Sequence, residues 1–342
     1  MNPIRLIQAG VGGHGGGWLR NTTHPSPAVD LVAIVDPNPE AVAAAREVTG
    51  LPADRCFDDL GKALAEVDAD AVLSAAPPAF HRAQAETVFA AGRHLLVEKP
   101  IAESIEDARA MVDAADAAGK TLMVAQNYRW KPPVRTLKRV FADAPLGTFG
   151  HGHLDFFIPG DFTGTFRETM PHVLLVDMAV HHLDLIRHVT GRNITRVYAE
   201  SFNPSWSWYQ GEAALVMLLH LDDGTRFTYH GDWAAKGYVS SWDGEWRLQC
   251  ADGCLRFGRK TDEHVLLERS ELWQAGETTE SIAPADAPNA QMATLDHFVE
   301  SIRNNTEPMT SGRDNLQTFA TVIAARRSAE TGTPVNVADV LG

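Results

Sequence analysis

The chain has 342 residues, 44% of them apolar and 22% charged, with a formal net charge of −14. That length holds two domains and a large core, while the acidic balance argues against sequence-independent phosphate binding and against anionic membrane surfaces. Three cysteines, Cys56, Cys250 and Cys254, form no disulfide framework, no apolar run is long enough to span a bilayer, and the first residues enter a strand with no room for a signal peptide. A cytoplasmic protein with no nucleic acid or membrane partner is therefore expected. Residues 4–9 (IRLIQA) read as a strand, and GVGGHG follows at once. Gly10, Gly12 and Gly15 stand in G-x-G-x-x-G spacing, and a second strand over 31–35 ends at Asp36, about 20 residues beyond the last glycine. In that context the motif predicts a dinucleotide-binding turn. The first glycine permits the tight turn, the second lets backbone approach a pyrophosphate, and the third allows close helix–strand packing. The N-terminus of the following helix faces the phosphates. Asp36 is suited to accept from the ribose 2′-hydroxyl, and its charge disfavours a 2′-phosphate, so NAD is the expected cofactor. Gly16 and Gly17 find no account in the sequence.

Helices over 40–48, 58–66, 80–90 and 104–118 then alternate with strands over 71–75, 94–97 and 121–125. Ser104-x-x-Asp107 opens the last helix in capping-box fashion. The rhythm predicts a parallel sheet wound on both faces. Ligands of such sheets bind at the strand carboxyl ends, which here carry Gly10, Asp36, Ala75-Ala76-Pro77 and Glu98-Lys99-Pro100. Lys99 is thereby expected beside the cofactor.

The rhythm changes after Asn127. A helix over 132–142 and a strand over 148–158 precede strand-like runs at 195–201, 213–221, 225–232, 245–250 and 254–258. Asp-Asp-Gly and Ala-Asp-Gly turns join two pairs of these runs. The expectation is an α/β chain with a Rossmann domain over 1–125 and an α+β domain over 126–342 for substrate binding and oligomerisation, built on an open, mostly antiparallel sheet. Seven of the eight tryptophans lie beyond Arg129, so the open face is expected to be aromatic and to seek a second subunit, as a homodimer or homotetramer. Residues 276–290 read as a polar loop, and helices over 291–303 and 313–330 close the chain.

Between these strands lies PHVLLVDMAVHHLDLIRHVTG (171–191), read as one helix from Pro171 to a stop at Gly191. At about 100° per residue, Asp177, His181, Asp184 and His188 share one narrow stripe of an otherwise apolar helix. His182 points away, among Leu175, Ile186 and Val189. Buried charge is costly unless paired or used, so the stripe is either a satisfied polar seam or a working site with His181 as its candidate.

GVGGHG, Asp36, AAPPAFH (75–81), LLVEKP (95–100), NYRWKP (127–132) and DMAVHHLDLIRHVTG (177–191) occur in one order along nearly the whole chain. On these motifs, above all EKP after a strand and D-x-x-x-H-x-x-D on a helix, the chain resembles the Gfo/Idh/MocA family of nicotinamide-dependent oxidoreductases. The resemblance implies a Rossmann domain followed by an open-faced α/β domain, and oxidation of one secondary hydroxyl of a sugar, cyclitol or related polyol. It implies that Lys99 hydrogen-bonds the reacting oxygen, that His181 is the acid/base, and that Asp177 is its aspartate four residues before. PHVLLV replaces the glycine-rich approach common in the family, and Ala179 stands where glycine is frequent, which bears on the substrate subgroup. From the strand ends and motifs together, the expected cofactor surface is Gly10, Gly12, Gly15, Asp36, Ala76, Pro77, His81, Glu98 and Lys99.

The residue types suit the chemistry. Imidazole, with a reference pKa of about 6.5, accepts a hydroxyl proton near neutrality, and a lysine beside a developing alkoxide stabilises its charge. Asp177 can orient the imidazole or bind substrate hydroxyls. Asp184 can do the former or serve structure alone, and His188 reads as a helix-end histidine near the dipole. Asp155, Arg167 and Trp233, with Trp206, Trp208 and Tyr209, are further pocket candidates. A non-catalytic dinucleotide- or sugar-sensing protein on the same scaffold has no need of Lys99 and His181. No H-E-x-x-H occurs, and adjacent His181 and His182 cannot share one ion, so a metal hydrolase is disfavoured and no metal ligand is assigned.

Overall fold

The computed structural model describes residues 2–143, 146–259, 264–269, 278–284 and 289–342. It divides into two compact units, residues 1–127 with 288–316 and residues 128–287 with 317–342. A single boundary between 125 and 126 was expected, whereas the segment 288–316 returns to the first unit. The reason is long-range backbone pairing: the Val124 N–H donates to the Thr310 carbonyl at 2.9 Å, the Thr310 hydroxyl donates to the Val124 carbonyl at 2.7 Å, and Arg303 reaches the Asn2 carbonyl at 2.8 Å. Pairing of this kind leaves no local mark in a sequence.

The first unit holds the strands β1 Ile4–Ala9, β2 Val29–Val35, β3 Cys56–Phe57, β4 Ala71–Ser74, β5 His94–Val97 and β6 Leu122–Val124. Their order is β3-β2-β1-β4-β5-β6, and every pair is parallel. The central strands are apolar without alternation because helices cover both faces. Helices Pro39–Thr49, Leu60–Glu66 and Ile105–Ala118 start on Asn38, Asp59 and Ser104, whose side chains accept from the Glu40, Lys62 and Asp107 N–H groups. The winding reverses between β1 and β4, and in such sheets the crevice at that reversal is where ligands bind. It is bounded here by Gly10 and Ala75.

The second unit holds β7 Phe149–Phe157, β8 Ile194–Phe202, β9 Ala214–Leu221, β10 Arg226–Asp232, β11 Glu245–Cys250, β12 Gly253–Phe257, β13 Val265–Arg269, β14 Thr278–Ile282 and β15 Val335–Asn336. Among the described residues they form one sheet in the order β14-β13-β12-β11-β7-β10-β9-β8-β15. It is mostly antiparallel, but β7 and β10 run parallel at its centre. β3, β13, β14 and β15 were not anticipated. Of the expected loop at 276–290, residues 276–277 and 285–288 lie outside the described residues, whereas Thr278–Ile282 pairs with β13. A polar edge strand is ordered by its neighbour more than by its own pattern.

Alternation along β7 and β10 sorts their side chains. Leu154, Phe156, Phe227 and Tyr229 are buried, as is Trp246 of β11. His151, His153, Asp155, Arg226, Thr228 and His230 take the opposite, open face. The expectation of an aromatic open face is therefore corrected: these aromatics fill the covered face, and polar groups dominate the open one. Among the exposed apolar residues of that face are Val216 and Leu218 of β9, 38% and 40% accessible, and Phe202 of β8, 44% accessible. No helix among the described residues is long and apolar enough to cross a membrane.

Candidate active site

The first unit holds the glycine loop. Gly10 has a φ of +82°, and a Cβ there would stand 2.8 Å from the Ala75 backbone carbon. A Cβ on Gly15 would lie 2.2 Å from the Gly10 carbonyl oxygen, so the short helix Gly13–Trp18 packs directly on the turn. Gly12 is different. A Cβ there would meet only Ala41 Cβ at 3.5 Å and Asp36 Oδ2 at 3.9 Å, and at Gly13 it would meet nothing within 4 Å. The outer side of the loop is thus bare backbone that protein packing does not demand, the cradle that a dinucleotide pyrophosphate needs. A Cβ on Gly16 would approach the Val11 carbonyl at 3.0 Å, which accounts for that glycine, while nothing in the structure explains Gly17.

Asp36 stands at the end of β2. One carboxylate oxygen accepts from the Val11 and Gly12 N–H groups at 2.9 and 3.3 Å, and the other from the Asn38 N–H at 2.9 Å. The loop thereby fixes a negative charge beside the cradle, and Oδ1, which accepts a single N–H, keeps lone-pair capacity for a ribose hydroxyl.

Glu98 and Lys99 follow β5. Glu98 is buried and accepts from the Trp18 indole at 2.6 Å, from the Lys99 N–H at 2.9 Å, and pairs with His14 at 2.9 Å. Burial works against its charge, but His14, Lys99 and the indole N–H outweigh burial and hold its pKa below the usual carboxylate range. Trp18 and His14, which sequence reasoning missed, thus tie the short helix to the lysine loop. His81 was expected on the cofactor surface, but its ring is fully buried. Its nitrogens meet the carbonyls of Ile101 at 3.1 Å and Ala76 at 2.8 Å, and burial lowers its pKa. It braces the Ala76-Pro77 turn from behind.

The second unit holds the polar helix. The expected single helix is a π-helical segment, Leu174–Ala179, followed by an α-helix, Val180–Thr190, that ends on left-handed Gly191. Pro171 lies in a turn before it. His172, at a φ of +49°, is held there by its N–H on Glu212 at 2.8 Å. The wider π turn changes the rotation per residue, so Asp177 belongs to a different register from the rest of the stripe. Asp177 receives Arg167 Nε at 2.6 Å. Asp184 accepts from Arg129 Nε and Nη2, each at 2.7 Å, and from the Thr318 hydroxyl at 2.9 Å, deep in the core. Its role is structural, and Arg129 lay unread in NYRWKP. His188 faces Lys138 at 3.2 Å. Burial, then Arg129, Lys138 and Arg187, lower its pKa to about 2, the reverse of a dipole-stabilised cation.

The two adjacent histidines differ. His182 is fully buried between the Tyr229 hydroxyl at 3.0 Å and the Trp242 carbonyl at 3.1 Å, and burial lowers its pKa to about 3. His181 stacks on Tyr128 with centroids 4.2 Å apart and planes 12° from parallel. Lys131 lies 3.6 Å from the Tyr128 ring centroid and pairs with Asp243. Arg167 also packs on Phe162 and Phe166, and Phe162, Trp233, Tyr209 and Trp208 continue as a chain of ring contacts. Among the described residues, the indole N–H groups of Trp208 and Trp233 are buried with no acceptor. Trp206, half exposed, donates to the Ala234 carbonyl. Arg167 and Trp233 therefore share a cluster with Asp177, whereas Asp155 does not: its strand neighbour Phe156 packs on His182, and the two-residue period turns Asp155 to the open face.

Comparison with known proteins places the fold in a family. A family model described as "Oxidoreductase family, NAD-binding Rossmann fold" matches residues 4–126, and one described as "GFO/IDH/MocA C-terminal domain" matches residues 134–256. D-apiose dehydrogenase of Paraburkholderia graminis is 29% identical over 94% of this chain and 88% of its own. The scyllo-inositol 2-dehydrogenase (NAD(+)) of Bacillus subtilis is 24% identical over 98% of this chain and 96% of its own. An Agrobacterium radiobacter oxidoreductase, solved with NAD+, L-tartaric acid and magnesium, has the same fold, with a TM-score of 0.87, 24% identity, and coverage of 98% of this chain and 99% of its own. With both halves matched in the order the motifs demand, the chain belongs to the Gfo/Idh/MocA family of NAD-dependent oxidoreductases.

Proposed function

We propose that this enzyme oxidises one secondary hydroxyl of a sugar, cyclitol or related polyol to the ketone. The 10–15 loop and Asp36 would hold NAD, which when bound supplies the hydride acceptor. His181 accepts the hydroxyl proton, and its stack on Tyr128 fixes the plane in which the imidazole can do so. Lys99 hydrogen-bonds the same oxygen as negative charge develops on it. Asp177, oriented by Arg167, and the two indole N–H groups without acceptors suit a ligand rich in hydroxyls, which donate to carboxylates and accept from N–H. The observation that carries the reading is the immobilised imidazole of His181, one turn after the Arg167–Asp177 pair, in a chain that also builds a dinucleotide cradle. Similarity to a D-apiose dehydrogenase and a scyllo-inositol 2-dehydrogenase supports the substrate class.

The test follows NADH absorbance with the enzyme and a panel of aldoses, cyclitols, linear polyols and sugar acids. Turnover of a hydroxylated carbocycle or sugar is the expected result. Failure of every member, with NAD binding intact, overturns the proposal in favour of a sensing role. The proposal includes a cytoplasmic location and assembly as a homodimer or homotetramer through the open sheet face, where Val216 and Leu218 are exposed. Light scattering that finds a monomer at micromolar concentration refutes the assembly.

A further inference from the structure

We propose that His153, Asp155 and His230, on the open face of the second unit's sheet, bind one divalent transition-metal ion of the zinc class. The backbone creates the cluster. His153 and Asp155 are two residues apart on β7, so they share a face, and the parallel register sets His230 of β10 opposite Asp155 and Thr228 opposite His153. His153 Nε2 lies 2.9 Å from Asp155 Oδ2, and His230 Nδ1 lies 3.5 Å from Asp155 Oδ1. One donor atom from each of the three residues lies within 4.8 Å of the others. A tetrahedral zinc ion with bonds of about 2.0–2.2 Å needs donors separated by about 3.3 Å, so small rotations of these half-exposed side chains close the site.

A second observation points the same way. The Thr228 hydroxyl lies 2.8 Å from His153 Nδ1. Without an ion, Nε2–H donates to Asp155 and the hydroxyl donates to Nδ1; with an ion bound at Nε2, Nδ1–H donates to the same hydroxyl, the arrangement by which an outer partner orients a metal-binding imidazole. Two nitrogens and one carboxylate suit zinc, cobalt or nickel, whereas magnesium and calcium prefer all-oxygen shells. The side chains are 34%, 34% and 49% accessible in the single chain, and His230 lies opposite Val216 on the face proposed above for assembly, so the fourth ligand is a water or a group of a facing subunit. His151 lies on the same face but outside the set of mutually close donor atoms and is left out of the site, while Arg247, opposite His153 on β11, turns its guanidinium to the Gln249 side-chain oxygen at 3.2 Å.

The test uses the tag-free, chelator-treated full chain, with zinc titrated by calorimetry and cobalt followed by its visible absorption. One ion per chain and a tetrahedral cobalt spectrum are expected. Asp155→Asn, which keeps the side chain's shape, and the His153→Ala plus His230→Ala double variant should lose the stoichiometric phase. Thr228→Val should weaken binding about 10-fold, and His151→Ala should leave it unchanged. Circular dichroism confirms that each variant is folded. Zinc binding to the wild type that is no tighter than to the double variant, or an Asp155→Asn variant that binds as the wild type does, would overturn the site and leave the cluster a metal-free ion pair.

Discussion

The two units hold their functional groups by different means. In the first, main-chain groups do most of the holding: Asp36 accepts three N–H groups, Glu98 accepts the Lys99 N–H beside the Trp18 indole and His14, and His81 meets two carbonyls. In the second, buried side chains do it: Arg129 clamps Asp184, Arg167 holds Asp177, and Tyr229 and the Trp242 carbonyl enclose His182. A backbone-held site keeps its shape when a side chain is exchanged, so substitutions there should alter ligand choice or chemistry and spare the fold. A site held by buried charge pairs transmits the loss of one partner to the fold, because the other is left uncompensated in low dielectric.

Substitutions that separate chemistry from support sharpen this contrast. The largest effect is expected at His181→Ala, which should lower kcat for alcohol oxidation by about 10²–10⁴ with little loss of NAD affinity. His182→Ala should keep kcat and lose stability. Near-normal turnover in the first variant, with loss in the second, would break the assignment of the two histidines. Arg129→Ala should destabilise the chain by about 3–5 kcal/mol in urea titration, because Asp184 is then a buried charge without its partner. An unchanged unfolding midpoint would show that the clamp is not a support.

On the backbone-held side, Lys99→Ala should lower kcat by about 10²–10³, the range for losing one donor to a developing oxyanion, while thermal stability stays within experimental error. Full activity would remove the lysine from the mechanism and leave the helix reading standing. A smaller change, in preference alone, is expected when Asp36→Ser is combined with Asn38→Arg. The wild type should prefer NAD(H), because the carboxylate repels a 2′-phosphate, and the double variant should shift towards NADP(H). Equal turnover of both cofactors by the wild type would contradict this.

The same contrast predicts the response to acid. His182 and His188 have folded pKa values lowered to about 3 and about 2 by burial, below the value of about 6.5 in an unfolded chain. The unfolded state therefore binds more protons, so the contribution of these residues is complete above about pH 6.5 and falls as pH drops towards their folded values. Urea midpoints should decline from pH 7 to pH 5. His182→Gln, which keeps a hydrogen-bonding side chain without the titration, should flatten that decline, and a parallel decline in the variant would assign the effect to other groups.

Much of this was legible in the sequence wherever a local rule applied. β1, β5 and β11 have the bounds expected of them, and Ser104 caps its helix as the spacing implied. Gly15 packs on Gly10 and Asp36 meets the Val11 and Gly12 N–H groups because a strand, a three-residue turn and a helix leave few alternatives. Gly191 ends its helix because αL geometry favours glycine. These features depend on neighbours a few residues away or on a motif that encodes its own geometry.

What the tertiary structure alone decided involves partners far apart in the chain. Nothing near Asp184 in sequence announces Arg129 or Thr318. Nothing near Val124 announces Thr310, and nothing near Asp155 announces His230. The rotation of Asp177 out of the stripe comes from a π turn, which the 3.6-residue period cannot foresee. The face taken by Asp155 follows from the alternation of β7 once the covered side is known, and the packing of Phe156 on His182 settles which side that is. Residue type and spacing thus determined the cofactor loop, the family and the candidate imidazole, because those are written in short-range geometry. Which charges are paired and which face is open were decided only when chain segments separated by tens of residues came into contact, since burial, and with it the cost of a charge, is a property of the assembled core.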